Sequence, residues 1–72
     1  MSSAKHRIKV LKIDAEILRY CGFKARADYQ AMEIVVRTPM FGWEVTKLQE
    51  QVDSCIRVPA EFIKDHSAYA GA

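Results

Sequence analysis

Hydrophobic positions change period several times along the chain, and Met32-Glu33-Ile34-Val35-Val36-Arg37 is the run in which apolar residues occupy both alternating faces. That pattern predicts a central strand over 32–37, packed on both sides, with valine and isoleucine suited to a pleated backbone. Thr38 and Pro39 end it. Upstream, Ile8, Val10, Leu11 and Ile13 interleave with Arg7, Lys9 and Lys12. Their β-branching favours a strand over 7–13, although Ile8/Leu11 and Val10/Ile13 are also helically spaced. Asp14 is then placed to cap a short helix over 15–21, with Glu16 adding favourable charge in its first turn. Ile17, Leu18 and Cys21 fall in one sector of that helix, Gly22 stands where a left-handed residue ends it, and Phe23 can fold back on Leu18. Residues 24–31 alternate Lys24, Arg26, Asp28 and Gln30 with Ala25, Ala27, Tyr29 and Ala31, an extended approach to the central strand.

Downstream, Thr38-Pro39-Met40-Phe41-Gly42 carries turn residues, and a hairpin into a strand over 42–45 is the natural continuation. A helix beginning at Trp43 is the rival, but its wheel gathers Val45, Leu48, Val52, Cys55 and Ile56 on one side and turns Trp43 away from them. Starting the helix after Thr46 avoids this, because Thr46-x-x-Gln49 has capping-box spacing. The prediction is a helix over 47–54. Cys55-Ile56-Arg57-Val58 reads as a brief extended run, and Pro59 suits the first turn of a last helix over 59–69. Phe62, Ile63, His66, Tyr69 and Ala70 share one face of it, and Gly71 ends it.

Together these elements predict an α+β fold: a small mixed or antiparallel sheet of about three strands (7–13, 32–37 and 42–45), with two to three short helices covering one face. Seventy-two residues fit one domain, with residues 1–5 as a disordered tail and 6–72 as the folded unit. A chain of this length buries only roughly 60 to 65% of its unfolded surface. Half of its residues are hydrophobic, so apolar side chains are left over for a second surface, and a homodimer or a foreign protein partner is expected.

Charge and cysteine refine this picture. The net charge is +2, yet residues 1–26 hold seven Lys or Arg against two acids (+5) while residues 27–72 hold four against seven (−3). A basic end is one requirement for nucleic-acid contact. Cys21 and Cys55 match no metal-ligand spacing, and reduced, buried thiols are expected rather than a disulfide. Seven charged residues among the first twenty interrupt any apolar signal core, and no apolar run reaches the roughly twenty residues of a membrane span. A cytoplasmic protein with no membrane association is expected.

Candidate chemistry is sparse. His6, His66, Cys21 and Cys55 are the nominal ingredients of a Cys–His dyad, but none stands at a recognisable spacing. Asp65 and His66 are adjacent and diverge on a helix, and the three glycines form no phosphate loop. No catalytic residue, metal or cofactor is expected. Lys5, Arg7 and Lys9 would share one face of a strand and could align with phosphates, or simply guard a sheet edge. Tyr20, Phe23 and Tyr29 lie among Arg19, Lys24 and Arg26, the aromatic and basic mix of single-strand binders. Met40, Phe41 and Trp43 gather large apolar side chains around a turn, as a loop folded over the core or as a contact surface.

Ile56-Arg57-Val58-Pro59-Ala60-Glu61-Phe62 resembles the strand-proline-helix turn of ribbon-helix-helix repressors and of swapped-hairpin antitoxins. The likeness covers seven residues, and only ten follow Phe62. That is too few for the second helix of the former or the further strands of the latter, so no residue role transfers. The sequence therefore points first to a non-enzymatic protein-binding module, an adaptor or inhibitor of a larger assembly, using Met40, Phe41 and Trp43. The alternative is a small nucleic-acid-binding regulator using Lys5, Arg7, Lys9, Lys24 and Arg26.

Overall fold

A computed structural model describes residues 3–65, and its N-terminal third is one helix, α1 (Ser3–Tyr20), where a strand over 7–13 and a helix over 15–21 were expected. Leu11, Ala15 and Leu18 recur at three- and four-residue spacing and all three are buried, so the helical period reaches the core where alternation would not. Residues 3–5, expected within a tail, form its first turn. Asp14 lies in the middle of α1 and caps nothing there. The C-terminal end is as predicted: Gly22 has φ +98°, its N–H bonds the carbonyl of Arg19, and the N–H of Phe23 bonds that of Leu18. Those two bonds make a Schellman ending.

The chain then forms β1 (Ala25–Asp28) and β2 (Glu33–Val36), an antiparallel hairpin in which Ala25 faces Val36 and Ala27 faces Ile34. Its turn is held by the Asp28 carboxylate, which accepts the N–H groups of Gln30 and Ala31 at 3.1 Å. Met32, with φ 56°, brings the chain back into β2. A helix, α2 (Gly42–Gln51), crosses over to β3 (Cys55–Arg57), which runs parallel to β2 with Ile34 opposite Ile56. The sheet is mixed, of three strands in the order β1-β2-β3.

The segment over 42–45 is the first turn of α2, not a strand, and the helix ends at Gln51 rather than at 54. Two carboxylates from outside the expected box fix its start. Glu44 accepts the N–H of Phe41 at 2.9 Å, and Asp65 accepts that of Gly42 at 3.2 Å, each placing negative charge at the positive end of the helix. Thr46 bonds back to the carbonyl of Gly42 instead of capping. Pro59 precedes a single 3-10 turn, Ala60–Phe62, after which the chain pairs with Met40, whose N–H and carbonyl bond Phe62 and Lys64 at 2.8 Å. The last helix predicted over 59–69 is therefore replaced by this turn as far as residue 65; His66, Tyr69, Ala70 and Gly71 lie outside the described residues.

Leu48 of α2 and Val52, the residue after its last turn, join Leu11, Ala15 and Leu18 of α1 over Ala25, Ile34 and Val36, so both helices cover one face of the sheet. Among the described residues no element packs on the other face. Ile34 and Val36 are fully buried while Glu33 and Val35 are half-buried, so β2 is central but packed on one side rather than two. Arg26, Val35 and Arg57 form a row across the open face, with Arg57 ion-paired to Glu33.

Candidate functional site

The Met40/Phe41/Trp43 cluster is divided by the fold. Met40 is 2% exposed, a core residue whose backbone is held by residues 62 and 64, so it offers no surface for contact. Phe41 is partly exposed, with the Lys64 ammonium 5.0 Å from its ring centroid. Trp43 is 64% exposed on the first turn of α2. It stands beside a shallow depression of about 220 Å³ lined by Phe23, Met40 and Leu48, with Glu44, Lys47 and Gln51 around it. The wheel that turns Trp43 outward is the one that brings Val45, Leu48 and Val52 to the core.

Lys5, Arg7 and Lys9 do not share a face, because on a helix residues two apart point roughly 200° from one another. Lys5 and Lys9, four apart, align, and Lys12 continues their row. Arg7 turns to the other side, lining a cavity of about 350 Å³ with His6, Val10, Met32, Asp53 and Cys55. Lys24 and Arg26 do converge with other cations. They line an open groove of about 640 Å³ along β1 together with Arg19, Arg37, Asp28 and Tyr29. Arg19 also donates from Nη1 to the carbonyl of Ala25 at 3.1 Å, and the Arg37 guanidinium lies 5.7 Å from the centre of the Phe62 ring. Arg37 was not among the sequence candidates; its place at the end of β2, on the same face as Val35, follows from the two-residue period of the strand.

His6 and Cys55 line the same cavity, beside Asp53, but no hydrogen bond joins the imidazole to the thiol or the carboxylate. Both cysteines are free thiols and both are exposed, contrary to the buried thiols expected, since Cys21 follows the last turn of α1 and Cys55 lies on the open sheet face. Among the described residues no group of three or more His, Cys, Asp or Glu is placed to hold a metal ion. None of their helices is long and apolar enough to cross a membrane. Comparison with known protein families, with curated proteins and with solved structures finds no match to this chain.

Proposed function

We propose that this chain is a non-enzymatic protein-binding module, an adaptor or inhibitor of a larger assembly in the cytoplasm, with Trp43 as its anchor. The observation that carries the reading is the exposure of Trp43 beside an apolar depression whose margin is polar. Binding hot spots have this anatomy, with an aromatic side chain at the centre and polar groups that exclude water around it. Phe41 extends the surface, and Met40 supports it from below. The deciding experiment compares Trp43→Ala with the natural chain for affinity to a partner recovered by pull-down and for thermal stability. Affinity should fall by about 2 kcal/mol or more, as for a typical anchor, with little change in stability; unchanged affinity would sink the reading.

A second reading has its own observation in favour. Four cations, Arg19, Lys24, Arg26 and Arg37, meet beside Tyr29 in the β1 groove, a combination suited to the phosphates and bases of a single strand. Here the basic residues that matter are those of the groove, not Lys5, Arg7 and Lys9.

A further inference from the structure

α1 carries a second apolar stripe that the described residues leave largely uncovered, with Val10 half-buried at its edge. Leu11, Ala15 and Leu18 face the core, whereas Val10, Ile13, Ile17 and Tyr20, preceded by His6, repeat at alternating four- and three-residue spacing on another face. At 3.6 residues per turn that stripe lies roughly 140° around the helix from the buried one. Ile13 and Ile17 are about half exposed and Tyr20 is 94% exposed. The spacing is that of a and d positions in a coiled-coil seam, with Val10 and Ile17 at a and His6, Ile13 and Tyr20 at d. A β-branched stripe of this kind is what a second helix interdigitates with.

We infer that the occupant is the same helix of a second copy, running antiparallel, so that the protein is a homodimer joined through α1. Flanking charge selects both the partner and the direction. With Val10 opposite the second copy's Ile13, and His6 opposite its Ile17, Lys9 of each chain meets Glu16 of the other, giving two symmetric pairs of opposite sign. Lys9 and Glu16 are both exposed, and neither is engaged by another side chain among the described residues. In a parallel pair Lys9 would instead face Asp14, which is buried and already accepts the N–H of Ser54, and Glu16 would face Cys21. Ile13, Ile17 and Tyr20 face away from the domain, Val10 is half-buried at its margin, and residues 4–9 are exposed, which leaves a second helix free to approach. A seam of two heptads lies at the low end of specific interfaces, below about 1,200 Å² in total, so association in the micromolar range follows.

The inference rests on the protein-binding reading in treating exposed apolar area as an interface, but uses none of its residues. Its test is sedimentation of the full chain, with Cys21 and Cys55 replaced by serine, from low to high micromolar concentration. A doubling of mass is expected. Ile13→Glu with Ile17→Glu should remain monomeric while keeping its helical circular dichroism. Should that variant fail to fold, the charge pair decides: Lys9→Glu alone should weaken association at least about tenfold, and Lys9→Glu with Glu16→Lys should restore it. Direction is read by mixing a Val10→Cys chain with an Ile13→Cys chain under oxidation, where antiparallel seating yields the mixed disulfide. A monomer at every concentration, no rescue by the charge swap, or disulfides only between like chains would each overturn it. A monomer whose Trp43→Ala variant still loses a foreign partner refutes the seam alone; a seam dimer whose Trp43→Ala variant binds that partner normally refutes only the Trp43 reading.

Discussion

Asp14 on α1 accepts the backbone N–H of Ser54, forty residues further along the chain, at 3.0 Å, and both residues are buried. This bond ties the N-terminal helix to the entry of β3, the strand most distant from it in the sheet. Removing the acceptor leaves a buried N–H unpaired, which costs about 1–3 kcal/mol. Asp14→Ala should therefore lower stability by that amount in urea denaturation, and Asp14→Asn, which keeps an acceptor oxygen, by clearly less. If the alanine variant matches the natural chain, the bond is not structural.

Gln49 performs a similar task from α2. Its Nε2 donates to the carbonyl of Ser54 at 2.7 Å and its Oε1 accepts the N–H of Ile56 at 2.8 Å, so one side chain continues the hydrogen bonding of β3 on the side where no strand lies among the described residues. Gln49→Glu keeps only the acceptor and Gln49→Ala loses both. Amide exchange at Ile56 should accelerate in the alanine variant and much less in the glutamate variant, with a stability loss of about 1–2 kcal/mol for alanine at net values near 1 kcal/mol per bond. Equal exchange in all three chains would refute the role.

The one-sided burial of β2 makes its neighbours energetically unlike. Ile34 is fully buried, so Ile34→Ala should cost about 2–4 kcal/mol. Val35, in the open row with Arg26 and Arg57, should cost under about 1 kcal/mol, closer to the range of surface sites. Comparable losses at both positions would mean that the open face is covered in solution.

These positions also show what was legible in the sequence. The centre of the sheet, the Gly22 helix ending and the extended run expected over 55–58 rested on local chemistry that tertiary structure did not override, whereas Pro59, expected to open a helix over 59–69, precedes only one 3-10 turn. The first helix was misread because Ile8, Val10, Leu11 and Ile13 supply two apolar stripes of one helix, and two stripes superimposed resemble alternation. Trp43 misled in another way: a helix beginning there would turn it away from the apolar side, which moved the expected start of α2 to Thr46, whereas the packing of Val45, Leu48 and Val52 decides the helix and leaves the indole outside. The caps supplied by Glu44 and Asp65 were invisible because Phe41 at the N-cap has no side-chain acceptor and Asp65 lies twenty-three residues beyond Gly42. Convergence of Arg19, Lys24, Arg26 and Arg37 needed the hairpin and α1 in place together.

The last prediction separates the two basic sets, because a helix disperses one and the β1 groove assembles the other. Arg7 points away from Lys5 and Lys9 on α1, so replacing all three by alanine should change, for a foreign protein partner, only the rate and salt sensitivity of association. Replacing Lys24, Arg26 and Arg37 removes three of the four cations of the groove. If phosphates bind there, the affinity for a single-stranded oligonucleotide falls linearly with salt on logarithmic scales, by a slope of about 0.7 for each phosphate neutralised. The groove variant should then lose about two units of that slope, and the α1 variant almost none. With protein contact as the function, the natural chain shows little retention on an oligonucleotide column at physiological salt, and neither variant changes it. Firm retention that the groove variant abolishes and the α1 variant preserves would transfer the function to the groove and away from Trp43.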